Sequence, residues 1–211
     1  MRLAGEPLET ARAALVLAHG RGGSAQDMAE FARVLSNSFN GIAIFLPQSE
    51  LETPGGGYTW YPYPFQSPID RNEPHLSAGL AAIGAAFDRL RAAGLGPERV
   101  LLGGFSQGAC LALEYAARNA QRYGGIAGLS GGLIGPPGTP RDYPGSFGGT
   151  PVFLGCSDPD PHIPKARVLE SAQTFTRMGA EVTTRLYPML GHTINTEEME
   201  FVRNMLADML S

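Results

Sequence analysis

Six short apolar runs rich in valine, isoleucine and leucine recur along the chain, at residues 13–18, 41–46, 100–104, 125–129, 152–155 and 182–187. Most lack the polar alternation of a half-exposed strand, so they predict strands covered on both faces. Between them the period changes. Leu76, Leu80, Ile83, Phe87 and Leu90 step by four and three, which puts one apolar stripe on a helix, and Gly94 offers its stop. Ser24 with Asp27 makes a capping-box-like start for a helix carrying Met28, Phe31 and Leu35. Val168, Leu169, Ala172 and Phe175 mark another, and Thr196 precedes a last stripe of Met199, Val202 and Leu206. Strands alternating with helices predict crossover units, hence an α/β protein with a three-layer, mostly parallel sheet. Ligands of such sheets bind outside the carboxyl ends of the strands.

Two segments escape this periodicity. Residues 47–75 carry Gly55-Gly56-Gly57 and then Tyr58, Trp60, Tyr61, Tyr63 and Phe65, while residues 131–149 are dense in glycine and proline. Long loops in compact domains are usually functional or disordered, and the aromatic cluster favours an ordered, pocket-forming loop over a mere cover for the sheet edge. Trp60, Tyr61 and Leu133 are the candidate substrate-binding walls. The stretch between Leu129 and Pro151 is too short for a separate lid, so an open cleft is expected rather than a covered tunnel.

Composition narrows the partners. A chain of 211 residues suits a single domain, residues 1–211. With 43% hydrophobic and 17% charged residues and a net charge of -4, it has no extended basic surface, which argues against nucleic acid. The N-terminal segment is charged throughout and no window is apolar enough for a span, so a cytoplasmic location without stable membrane insertion is expected. The two cysteines, Cys110 and Cys156, read as buried thiols, with neither disulfide nor metal-ligand spacing.

Chemistry enters at Gly104-Phe105-Ser106-Gln107-Gly108, which follows an apolar run and opens a helical stretch. That is the layout of a nucleophile elbow, where a serine lifted from a strand-to-helix turn needs small residues two places to either side. In a chain with 28 glycines the pentapeptide alone can arise by chance, so its partners must carry the argument. A serine hydroxyl needs a base to take its proton, and that imidazole needs an orienting carboxylate. Of the four histidines, His192 is favoured as base, because it follows the last apolar run beside Gly191 and precedes a helix. His162 is expected at the site's margin, His75 at a helix start, and His19 in fixing the loop that follows the first long strand.

The carboxylate should follow the run at 152–155, and Asp158 and Asp160 both qualify. Each precedes a proline that forces it into extended backbone. Asp160 is preferred and Asp158 is the alternative acid. An oxyanion formed during acyl transfer is best met by backbone N–H groups. Gln107 stands at a helix N-terminus and supplies one. Arg21, in the turn Gly20-Arg21-Gly22-Gly23, supplies the second; its guanidinium faces either solvent or an acidic substrate. That turn lacks both the dinucleotide and the phosphate-loop patterns, and no paired-histidine helix occurs. No cofactor and no metal are therefore expected.

Taken together, His19-Gly20-Arg21-Gly22-Gly23, Gly104-Phe105-Ser106-Gln107-Gly108, Asp160-Pro161-His162-Ile163-Pro164 and Gly191-His192 resemble the phospholipase/carboxylesterase family, which includes the acyl-protein thioesterases. The resemblance spans nearly the whole chain. It implies a three-layer α/β-hydrolase fold with a mostly parallel sheet of about six to seven strands and no cap domain. It also implies a Ser106, Asp160, His192 triad with oxyanion donors at Arg21 and Gln107. One departure is the doubled Asp-Pro: matching backward from Pro164 selects Asp160, and matching forward from Gly155 selects Asp158. The expected activity is a serine hydrolase cleaving small carboxylic esters or thioesters through an acyl-enzyme. The alternative substrates are long-chain, a lysophospholipid or an S-acylated protein, and the third reading is a non-catalytic binding protein that keeps the hydrolase shell. An exposed apolar rim would serve a homodimer or an acyl chain equally well.

Overall fold

The computed structural model describes residues 1–211. The strands are β1 (Arg2–Gly5), β2 (Ala13–Ala18), β3 (Ile42–Leu46), β4 (Val100–Phe105), β5 (Gly125–Leu129), β6 (Pro151–Asp158) and β7 (Glu181–Pro188). They form one seven-stranded sheet in the order β1-β3-β2-β4-β5-β6-β7. Only β1 is antiparallel, pairing Arg2 with Leu46 and Gly5 with Ala43 on β3. The six apolar runs all become strands. β1 has no apolar run to announce it, being four exposed residues that extend the β3 edge.

Five α-helices cover the sheet: α1 (Ala25–Ser36), α2 (His75–Ala92), α3 (Gln107–Arg118), α4 (Lys165–Arg177) and α5 (Thr196–Leu210). The pleat divides β2 between two cores. Ala14, Val16 and Ala18 join the core under α2, α3 and α4, whereas Ala13, Leu15 and Leu17 join the one under α1 and α5. All six side chains are buried, which explains why the run shows no polar alternation.

Helix starts follow local hydrogen bonding. At α1, the Ser24 hydroxyl accepts from the Asp27 N–H while the Asp27 carboxylate accepts from the Ser24 N–H at 2.8 Å. At α5 the cap is Asn195 rather than Thr196, because the Asn195 amide oxygen accepts from the Glu198 N–H at 2.9 Å. The expected stop at Gly94 lies just past the end of α2, in left-handed backbone.

β2 has β3 on one side and β4 on the other, so the crossovers leaving this region diverge there. The divergence opens a crevice at the carboxyl ends of β2 and β4. Residues 19–23 leave one lip and Ser106 leaves the other. The aromatic loop is fastened across the opening, with Tyr58 and Gly22 or Gly23 exchanging backbone hydrogen bonds of 2.7 and 3.0 Å. Between β5 and β6 the chain carries no helix and no strand. Leu133, Ile134 and Phe147 from that stretch are buried in the larger core.

Candidate active site

Ser106 sits between the last residue of β4 and the first of α3 with φ 55° and ψ -120°, a backbone region that non-glycine residues avoid. The flanking glycines make that turn sterically possible. A Cβ on Gly104 would stand 2.6 Å from the Gly108 carbonyl carbon and 2.7 Å from the Ala18 oxygen, and one on Gly108 would collide with the Ala18 and His19 oxygens. Strand and helix thus cross too closely for any side chain at either place. The Ser106 N–H donates to the Leu129 oxygen at 2.9 Å, pinning the elbow to β5.

His192 lies in the connection from β7 to α5. Its Nε2 stands 2.8 Å from the Ser106 Oγ, and its Nδ1 stands 2.8 and 3.1 Å from the two oxygens of Asp160. The connection is held to β6 because the Gly191 N–H donates to the Ser157 hydroxyl at 2.9 Å. Phe105 packs on one side of the imidazole, with centroids 5.0 Å apart, and His162 meets it edge-on at 4.7 Å. The ring therefore has little freedom to turn away from the serine.

The structure separates the two aspartates. Asp160 has a fully buried carboxylate that accepts from the N–H groups of His162 and Ile163 at 2.8 and 2.9 Å as well as from His192. Burial opposes its ionisation, but the hydrogen bonds from His192, His162 and Ile163 outweigh burial and hold the carboxyl below its ordinary value. Asp158 ends β6, is partly exposed, and pairs with the Lys165 ammonium at 2.7 Å. The hydrogen bonds of His192 go to Asp160 and Ser106, and none to Asp158.

Gln107 begins α3, so its N–H is among the helix donors without an intrahelical partner and points toward the elbow. Its side chain is occupied elsewhere: Oε1 accepts from the Trp60 N–H at 2.8 Å and the Thr59 hydroxyl at 3.0 Å, and Nε2 donates to the Tyr61 oxygen at 2.8 Å. Arg21 also ties down the aromatic loop. Its guanidinium donates to the Pro62 oxygen at 2.8 Å, a different use from either alternative expected of it. His19 fixes the same junction: Nδ1 faces the Gly20 oxygen at 2.9 Å, and Nε2 accepts from the Ser49 N–H at 3.3 Å. Burial lowers its pKa and keeps it neutral. His75 is the first residue of α2.

A cavity of about 470 Å³ opens over Ser106, His192 and Gln107. Tyr61 lines it. Trp60 and Leu133 do not, and the expected walls are corrected accordingly. The Trp60 ring stacks on His19 at 4.6 Å and its Nε1 donates to the His19 oxygen at 2.8 Å, which turns the indole inward. The Leu133 N–H donates to Ser171 and its oxygen accepts from Arg167, so that residue is anchored in the core. Tyr63, Phe65, Phe105, His162 and Ile163 supply the walls instead. Tyr63 and Phe65 belong to the same aromatic run that marked the loop, and Ile163 to the Asp160 block. Cys110 lines the cavity from one helical turn beyond Ser106, and burial pushes its thiol up to about 12. Cys156 is buried beside Asp160, its thiol likewise pushed up to about 12, and neither cysteine is in a disulfide.

A parallel sheet with a strained serine between strand and helix, and a histidine delivered from the connection after its last strand, defines an α/β-hydrolase fold. The chain belongs to the phospholipase/carboxylesterase family, whose profile matches residues 5–210. A crystal structure of a phospholipase/carboxylesterase from Dyadobacter fermentans is 41% identical, superimposes with a TM-score of 0.88, and covers 98% of this chain and 95% of its own. Acyl-protein thioesterase 1 of Gibberella zeae is 33% identical over 126 residues, covering 56% of this chain and 51% of the relative. The Saccharomyces cerevisiae protein of the same name is 31% identical over 122 residues, covering 56% and 53%. The chain thus spans about half the length of these two curated relatives. No helix is long and apolar enough to cross a membrane.

Proposed function

We propose that this protein is a serine esterase that cleaves small carboxylic esters or thioesters through an acyl-enzyme on Ser106. The observation that carries the reading is the unbroken chain of contacts from the Ser106 Oγ to His192 at 2.8 Å and from His192 to Asp160 at 2.8 Å. Ser106 attacks the substrate carbonyl carbon as His192 takes its proton. The backbone N–H groups of Gln107 and Arg21 receive the developing oxyanion, each such donor being worth ~3 kcal/mol in the transition state. His192 then gives its proton to the departing alcohol or thiol. Water repeats the sequence on the acyl-enzyme, releasing the acid and restoring Ser106. Asp160 stays ionised throughout and holds the imidazole in the orientation both transfers need.

In this reading residues 1–211 act as one domain in the cytoplasm. Two buried free thiols and a sheet that carries all three reacting residues support it. A homodimer remains part of the expectation. The test is hydrolysis of p-nitrophenyl acetate and butyrate by the purified protein. Ser106→Ala is expected to lower kcat by at least ~10³-fold; equal rates would sink the proposal.

Long acyl chains are the second reading, favoured by the names of the thioesterase relatives and by Tyr63, a large apolar wall residue left exposed. A rate maximum at short chains across a graded ester and thioester series would exclude it. Failure of a fluorophosphonate to label Ser106 would instead revive a purely binding role.

A further inference from the structure

The two edges of the sheet are unequal. β1 closes one side with four residues, whereas β7 runs for eight, Glu181 to Pro188, and has no strand beyond it. Its pairing with β6 is unbroken by a bulge, and Glu181 to Tyr187 contain neither proline nor lysine, so the usual devices that keep an edge from pairing are missing. The hydrogen bonds to β6 fix which groups that edge presents. The Glu181 and Met189 N–H groups donate inward, to the Thr150 and Asp158 oxygens at 2.9 and 3.2 Å. Odd-numbered residues therefore bond to β6, and the N–H and C=O groups of Val182, Thr184 and Leu186 point away from the sheet. The exposed Arg185 guanidinium donates to the Thr184 oxygen at 3.3 Å, in keeping with that direction. Side chains divide the same way. Val182 and Thr184 line a groove beside α4, while Arg185 lies on the other face, 5.5 Å from the Phe201 ring and 3.6 Å from the Glu197 carboxylate of α5.

A second copy of β7, laid antiparallel across a two-fold axis, exchanges hydrogen bonds only through those outward groups, so the axis must pass a residue rather than a peptide bond. Centred on Thr183, the pairing sets Val182 against Thr184 in hydrogen-bonded pairs. It also sets Glu181 against Arg185, twice, in the closer non-hydrogen-bonded pairs, with Cα atoms ~4.5 Å apart. Opposite charges facing each other across strands stabilise the pair. Neighbouring centres do not achieve this: at Thr184 the guanidinium meets Thr183, and at Arg185 two guanidinium groups face each other. We propose that this protein forms a two-fold homodimer through β7, with Thr183 on the axis and Glu181 of each copy facing Arg185 of the other. The same axis keeps both α4 helices on one face of the doubled sheet and turns their groove-lining flanks, including the exposed Leu169, toward one another. Ser106 follows β4, with β5 and β6 between it and this edge, so both clefts stay open to substrate.

The homodimer expected above thereby gains a surface, and the inference goes beyond the esterase reading without resting on it. Sedimentation of the purified protein over a range of micromolar concentrations tests it, with p-nitrophenyl butyrate hydrolysis followed in the same samples. The parent should be a dimer. Glu181→Arg and Arg185→Glu each bring like charges together at both crossings and should weaken dimerisation by about tenfold or more. The double variant exchanges the two charges and should return to within about threefold of the parent. Both side chains are exposed, so Tm and kcat should change little in all three. Because the native thiols are buried, Thr183→Cys should cross-link into a covalent dimer on mild oxidation, and Thr184→Cys far less. A monomeric parent overturns the inference and the homodimer together. Single variants that dimerise as well as the parent, a double variant no better than the singles, or Thr183→Cys that stays uncross-linked would each overturn this interface alone. Butyrate hydrolysis that survives Ser106→Ala sinks the esterase reading and leaves the dimer standing.

Discussion

Asp158 and Asp160 carry the same functional group two residues apart, and burial and hydrogen bonding separate them. Asp158 neutralises Lys165 at the surface, where such a pair contributes little. Asp160 is dry, charged and held by backbone N–H groups. Asp160→Asn should therefore lower kcat by ~10²-fold or more while leaving the fold intact, because the amide no longer fixes the His192 tautomer. Asp158→Asn should keep kcat within about twofold of the parent. Steady-state kinetics on the two variants decides the assignment, and equal losses would contradict it. The pair also marks how far single residues are legible. The doubled Asp-Pro pattern offers two equivalent acids, and only the fold shows which one turns inward. Trp60 and Leu133 mislead for a related reason: each is a large apolar residue on a suitable loop, but bonds at His19, Ser171 and Arg167 turn them into the core.

Helix α5 begins with a cap that is also a buried acid. Glu198 is fully buried; its Oε2 accepts from the Asn195 N–H at 2.9 Å, while Oε1 lies unpartnered against Gly155 of β6. Burial is the main cause that raises its pKa from 4.5 to about 7, with the Glu197 charge adding to it and the Asn195 hydrogen bond opposing it. The protonated form is the one the folded state prefers. The contribution is thus fully present below the unfolded value near 4.5 and is lost as pH rises through about 7. Glu198→Gln keeps the cap and removes the titration. Between about pH 5 and pH 8 its unfolding free energy should lose less than the parent's, by up to about 3 kcal/mol. Urea melts at the two pH values measure this, and parallel losses in both proteins would refute it. The helices and six of the strands are readable from period and caps because their faces are consistently apolar. β1 is not, since an exposed four-residue edge strand is held by backbone pairing alone.

The whole molecule converts a linear order into a site by topology. Ser106, Asp160 and His192 are far apart in sequence, yet they leave β4, β6 and β7 at the same edge of one sheet. That convergence was legible because buried parallel strands declare themselves and their connections have few ways to run. The details of the cleft wall were not, since they depend on how the 47–75 loop folds over the crevice. That loop hides the chain's single tryptophan, Trp60, stacked on His19 at 4.6 Å and 2% exposed. The molecule thereby carries an intrinsic fluorophore at the joint between its sheet and its substrate-facing loop. In a urea titration its emission should shift to the red at the concentration where ester hydrolysis disappears, both at the midpoint for far-ultraviolet circular dichroism. A red shift that comes first would reveal the loop detaching as a separate cooperative unit, observable without a label.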